Sequence, residues 1–221
     1  MIPYRAQALV LLLSILLLSA GNAKAGAGQA MVKAVMHGQT ERVAILLDIG
    51  VSPDSATAQG EYQGKTALMW AADRGDTAII NLLLQYGADV DRLNPKGGSA
   101  LMYAAVSGRT EAVDMLVRAG ANPNQTVSNG WSPLMLATAK SKDDTVRRLV
   151  ELGADPDSRD TYGWTALMRA TENNDEGMVR MLLTLGADSS AEDLVGNTAL
   201  QIAELMGNDG IAELLRPRRR G

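Results

Sequence analysis

Residues 64–69 read Gly64-Lys65-Thr66-Ala67-Leu68-Met69, and nearly the same phrase returns four more times at intervals of 33 residues. It recurs as Gly97-Gly98-Ser99-Ala100-Leu101-Met102, Gly130-Trp131-Ser132-Pro133-Leu134-Met135 and Gly163-Trp164-Thr165-Ala166-Leu167-Met168. The last copy is Gly196-Asn197-Thr198-Ala199-Leu200-Gln201. A fixed period of this length describes small units that cannot bury an apolar face alone and therefore stack. A second phrase closes each unit: Leu82-Leu83-Leu84-Gln85-Tyr86-Gly87-Ala88-Asp89 has counterparts starting at Leu116, Leu149 and Leu182.

The chemistry inside the unit reads as helix, turn, helix and a hairpin-like loop. Thr66, Ser99, Ser132, Thr165 and Thr198 stand just before an apolar run, where a hydroxyl can accept from the free amides of a helix start. Pro133 falls at a first helical position, where its missing N–H is no loss. Ala71, Ala104, Ala137, Ala170 and Ala203 leave room for neighbouring helices to approach. Gly75, Gly108 and Gly207 sit where a short first helix should end, with Ser141 and Asn174 in that place in two units. Ile79, Ile80, Leu82 and Leu83 then mark a second helix, closed by Gly87.

Together the two phrases resemble the ankyrin repeat, whose usual text is Gly-x-Thr-Pro-Leu-His-x-Ala-Ala followed by Leu-Leu-x-x-Gly-Ala-Asp. The resemblance runs over about residues 29–216, with four repeats in register. It implies an all-α repeat solenoid of about six helix pairs including caps. The expected divisions are a capping repeat with a longer loop at 26–63, repeats at 64–96, 97–129, 130–162 and 163–195, and a C-terminal capping repeat at 196–216. The first pair is expected over 31–54, and the last helix over Ile211 to Arg216, before Pro217. A basic tail, 217–221, follows.

The first 25 residues stand apart. Arg5 supplies a positive start, Ala8 to Leu18 is apolar apart from Ser14, and Ala23-Lys24-Ala25 is a small-x-small site. This predicts a secretory signal peptide cut between Ala25 and Gly26, with a retained membrane anchor as the rival. The run is short of the roughly 20 residues that span a bilayer, so no membrane span is expected after cleavage. Asn22 stands where a lipoprotein would carry its lipid-bearing cysteine. Export combined with this repeat points to the periplasm, and Thr-Ala-Leu-Met in place of Thr-Pro-Leu-His resembles bacterial members of the family.

From Gly26 onward the chain has 19 basic and 25 acidic residues. Four of the bases (Arg216, Arg218, Arg219 and Arg220) lie in the last six residues, leaving 15 against 25 elsewhere. An acidic body argues against nucleic acid as the main ligand and toward a basic protein partner. Without cysteine and with His37 as the sole histidine, thiol catalysis and multi-histidine zinc sites are excluded.

The remaining chemical motifs are weak. Gly60 to Thr66 resembles a phosphate loop but has three residues between its glycines where four are required. Met69, Met102, Met135 and Met168 share one repeat position and suggest Cu(I), yet equivalent positions lie about 8–10 Å apart in packed helices. Core packing accounts for them better. Asp143-Asp144 and Glu192-Asp193 are the acidic pairs that a loop-carboxylate hydrolase would need. No catalytic, cofactor or metal residue is predicted.

The aromatic residues carry the functional expectation. Trp131 and Trp164 follow the loop glycine, while Trp70, Tyr103 and Arg169 occupy a variable slot six residues after it. Tyr162 sits at a loop tip. In ankyrin proteins the second slot faces the concave groove, and groove and tips form the usual binding surface. Aromatic and arginine side chains dominate binding energy at interfaces. Trp70, Tyr103, Trp131, Tyr162, Trp164 and Arg169 are therefore the expected partner-binding residues, the other possibility being that their rings stiffen the loops. The resemblance implies a non-enzymatic scaffold or stabiliser of an envelope enzyme, linked to peroxide protection in exported bacterial relatives. A toxin-blocking immunity protein is the alternative.

Overall fold

The computed structural model describes residues 21–216, which form six helix-turn-helix pairs. They are α1 Gly21–Met36 with α2 Thr40–Asp48, α3 Ala67–Arg74 with α4 Thr77–Gln85, and α5 Ala100–Val106 with α6 Thr110–Arg118. Next come α7 Pro133–Thr138 with α8 Asp143–Glu151, α9 Ala166–Glu172 with α10 Glu176–Thr184, and α11 Ala199–Met206 with α12 Asp209–Leu215. The body of the expected leader (1–20) and the arginine tail (217–221) lie outside the described residues.

Two boundaries differ from the sequence reading. The first helix starts at Gly21 rather than 31, so the expected cut between Ala25 and Gly26 falls inside α1. The run Ala23 to Ala30 is rich in alanine, the best helix former, which continues the helix backward despite its glycines. The last helix ends at Leu215, because Arg216 is extended (φ −62°, ψ 135°), as a residue before proline favours.

Each repeat folds by the same local devices. Thr66, Ser99, Ser132, Thr165 and Thr198 accept from the amide three residues on, each such cap contributing roughly 1 kcal/mol. In the first full repeat the Met69 sulfur accepts the Thr66 N–H (3.3 Å), taking the place of the usual Glu or Gln of a capping box. The turn between the helices needs a left-handed residue. Ser141 (φ 48°) and Asn174 (φ 53°) adopt that conformation where the other repeats place glycine.

The inner helices α1, α3, α5, α7, α9 and α11 each pack on the next, and one continuous core runs through the stack. Met69, Met102, Met135 and Met168 are 0–2% exposed, so the methionine column is core. No helix of the described residues is long and apolar enough to cross a membrane.

The loops between pairs project as five fingers: 49–66, 86–99, 119–132, 152–165 and 185–198. At their bases, side chains bridge neighbouring repeats. Asp54, Asp91, Asn124 and Asp157 accept the backbone N–H of Asp89, Asn122, Asp155 and Asp188 respectively, at 2.8–3.1 Å.

Candidate protein-binding surface

In the second, fourth and fifth fingers the residue three before the glycine fixes the finger tip. Asn94 Oδ1 accepts the N–H groups of Lys96 and Gly98, both at 2.9 Å. Asp160 Oδ1 does the same for Tyr162 and Trp164 (2.8 and 2.9 Å), and Asp193 Oδ1 for Val195 and Asn197 (3.0 and 2.8 Å). One short polar side chain thereby closes the turn, as Asx residues do. In the second and fourth fingers its second polar atom reaches an inner helix.

In the second finger that atom is the Asn94 amide nitrogen, which donates to the Tyr103 hydroxyl at 2.8 Å. Tyr103 is one wall of a cage around Lys65, whose ammonium lies 4.0 Å from the Tyr103 ring centre and 3.9 Å from that of Trp70. Asp73 pairs with the same ammonium at 2.5 Å. Trp70 is held in turn by its indole N–H, which donates to Thr57 Oγ1 at 3.0 Å, and by Tyr62, tilted against it at 5.2 Å. Lys65 is 1% exposed. Burying an ammonium this deeply is tolerable because two ring faces and one carboxylate replace its water. Burial holds the Tyr103 phenol above its ordinary pKa, with the Asn94 amide partly opposing.

A second cage stands in the fourth and fifth helix pairs. The Arg169 guanidinium lies 4.3 Å from the Trp164 ring centre and 4.8 Å from that of Trp131. It pairs with Asp160, whose side chain is fully buried, at 2.5 Å, and with Glu172 at 3.1 Å. Arg169 Nε is buried without a hydrogen-bond partner.

The six expected binding residues thus fall into two groups and an outlier. Trp70 and Tyr103 meet around Lys65, while Trp131 and Trp164 meet around Arg169. Tyr162 stands apart, 67% exposed at a finger tip. Five of the six already have an internal partner for a ring face or charge.

Lys65, Asn94, Asp160 and Asp193 build this surface, and none of them is among the expected partner-binding residues. Lys65 figures in the sequence only within a repeat opening and an imperfect phosphate loop. The recurrence of Asn94, Asp160 and Asp193 three residues before a phased glycine was the signal available. The Glu192-Asp193 pair is also explained by it, since Asp193 closes a finger while Glu192 faces solvent. His37 is exposed, its Nδ1 2.7 Å from the Lys33 carbonyl oxygen. Among the described residues, no group of histidine, cysteine and acidic side chains could hold a metal ion.

Helix pairs at one 33-residue period, capped alike and joined by fingers that bridge to their neighbours, agree with the profile of a known repeat. The family model for ankyrin repeats, three copies to a match, fits residues 10–94, 31–127, 101–193 and 144–219. The chain belongs to the ankyrin-repeat family. Ankyrin repeats generally mediate protein–protein interaction, which makes this surface a protein-binding candidate. No individual curated protein matches the chain.

Proposed function

We propose that this ankyrin-repeat chain is a non-enzymatic binding module of the bacterial envelope. Its N-terminal leader exports it, cleavage after Ala25 releases it, and a basic protein partner docks on its inner helices and finger tips. The partner is an envelope enzyme that the module scaffolds or stabilises.

The charge of the fingers carries the reading: the five loops hold ten acidic residues and four basic ones. Lys65 is buried against Asp73 and Asp160 against Arg169, so both charges are met internally and nine acidic residues face three basic ones. A surface with an acidic excess beside exposed aromatic side chains steers an oppositely charged protein and then anchors it. The cages fit the same use, because a surface fixed before binding loses less entropy when it docks.

The test is capture from a periplasmic fraction by the chain from Gly26 onward, over a salt series, with mass spectrometry of what binds. A basic envelope protein retained at low salt and released at high salt supports the reading. An acidic protein, or none beyond those held by an unrelated acidic protein, overturns it. N-terminal sequencing of the exported chain tests the leader separately, with Gly26 as the expected first residue.

A further inference from the structure

The two residues before each finger glycine form the tip of that finger. They are Tyr62-Gln63, Pro95-Lys96, Ser128-Asn129, Thr161-Tyr162 and Leu194-Val195. Turn tips favour Gly, Pro, Asn, Asp and Ser, and the second and third fingers largely comply. The last two do not. Leu194 and Val195 are 75% and 80% exposed, beside Tyr162 at 67%. Nothing in the turn itself needs an aliphatic pair there, and a residue that breaks a local rule without a packing gain points to function.

These tips are also the most firmly joined. Thr161 N–H donates to the Asn129 carbonyl and Leu194 N–H to the Tyr162 carbonyl, both at 3.1 Å, so the third, fourth and fifth fingers are linked backbone to backbone. A Cβ on Gly130 would lie 2.8 Å from Asp160 Cα, and one on Gly163 would lie 2.9 Å from Leu194 N. Glycine is what lets the fingers close up. At the first finger Gly64 approaches the Pro95 ring as closely, but among the described residues no backbone hydrogen bond joins the first two tips. The apolar knob therefore stands on a rigid base, a preorganised surface.

Its surroundings select the occupant. The last two fingers contain six acidic residues, of which Asp160 and Asp193 are buried in turn closure. That leaves Asp155, Asp157, Asp188 and Glu192 against one basic residue, Arg159, which is tied to the Glu192 carbonyl at 2.5 Å. Asp188 is held below the usual carboxylate range, first by the Ser190 hydroxyl and then by the Ser190 backbone N–H. A second copy would bring the same acidic rim against itself.

We propose that Tyr162, Leu194 and Val195 form a docking point for a cationic segment of a protein partner that inserts an aliphatic or aromatic side chain between flanking Lys or Arg residues. The proposal rests on the protein-binding reading above and places its epitope at the last two fingers.

The test uses a random peptide library displayed on phage, panned against the chain from Gly26 onward. Enriched peptides should carry at least two Lys or Arg around a Leu, Ile, Phe or Trp. A synthetic copy of the best one should bind at least ~10-fold more weakly to the triple variant Tyr162→Ser, Leu194→Ser, Val195→Ser, as loss of an anchor residue implies. Glu192→Lys should also weaken binding and flatten its salt dependence. Unchanged thermal melting shows that both variants are folded, as expected for exposed side chains. Peptides that bind the triple variant undiminished overturn the docking point and leave the protein-binding reading in place. Enrichment of acidic or uncharged peptides overturns the cationic partner. No enrichment over the bare support overturns the docking point, while periplasmic capture still decides the wider reading. A wild-type dimer in sedimentation that the triple variant abolishes assigns the tip to a second copy instead.

Discussion

The cage at the N-terminal end and the cage nearer the C-terminus use the same two repeat slots in opposite senses. Around Lys65 the cation follows the finger glycine, and the rings, Trp70 and Tyr103, come six residues after the glycine of its own and the next repeat. Around Arg169 the cation takes the later slot, and Trp131 and Trp164 follow the glycines of the preceding and the same repeat. Each cage therefore straddles a repeat boundary; the first ties two fingers to two inner helices, α3 and α5, and the second ties two fingers to one, α9. The finger residue changes with the cation: Asn94 must donate to a phenol, whereas Asp160 must accept from a guanidinium. Lysine, a compact charge, is buried at 1% exposure with one carboxylate. Arginine, a planar fork, keeps two carboxylates and a side chain 15% exposed.

The largest expected effect separates the two carboxylates. Asp160→Ala removes the buried partner of Arg169 and unpairs the amides of Tyr162 and Trp164. It should destabilise the chain by about 3–5 kcal/mol, as breaking a buried pair does. Asp73 is 31% exposed, so water can partly replace it beside Lys65. Asp73→Ala should cost about half as much. Urea unfolding of the chain from Gly26 onward measures both, and equal losses would show that the cages do not differ in the way their burial suggests.

Exchanging the cations sharpens the contrast. Lys65→Arg forces a larger planar group between rings already about 4 Å from the ammonium, and overpacking of this kind costs about 1–3 kcal/mol. Arg169→Lys gives up the fork that spans Asp160 and Glu172, a loss of about 1.5–3 kcal/mol for one charge-assisted hydrogen bond. If either exchange left the urea midpoint unchanged, the geometry would not be selecting its cation.

The repeat itself was open to reading because every unit solves the same local problem. Thr66 and its counterparts cap, the phased glycines turn, and Leu68, Leu101, Leu134 and Leu167 fill one core, so position alone identifies the role. The cages were not open in this way. Lys65 and Tyr103 belong to different repeats and meet only when helices stack, and a buried lysine carries no mark in a sequence where lysine is usually exposed. The aromatic slots were found by their departure from the repeat text, but that departure is common to binding and packing. Leu194 and Val195 went unnoticed because an aliphatic pair reads as core until the turn around it is known.

A smaller effect compares the rings. Trp70→Phe loses the indole hydrogen bond to Thr57 as well as part of a ring face, for about 1 kcal/mol. Trp131→Phe gives up only ring area over a guanidinium shared with Trp164, for about 0.5 kcal/mol. Urea midpoints of the two variants should keep that order. The reverse order would make Trp131, and not the hydrogen-bonded Trp70, the more important wall.

The smallest effect lies in the response to acid. Asn94 and Asp193 close their fingers by the same pair of backbone hydrogen bonds, but only Asp193 titrates. The Asn197 N–H, and after it the Val195 N–H, the Asn197 side chain and the Trp164 indole, hold the Asp193 carboxyl below its ordinary pKa against the opposing pull of burial. A carboxyl depressed in the folded state stabilises the fold above its ordinary pKa. That contribution is lost as the pH falls through the lowered value, which places the change below about pH 4. Hydrogen exchange at the Val195 and Asn197 amides should therefore lose protection in that range, while Lys96 and Gly98 keep theirs. Asp193→Asn should remove the difference, since an amide oxygen accepts the same two hydrogen bonds at any pH. If the fifth finger still opened in that variant, its acid response would come from Glu192, Asp188 or the stack as a whole, and the side chain that closes the finger would not be what sets its stability.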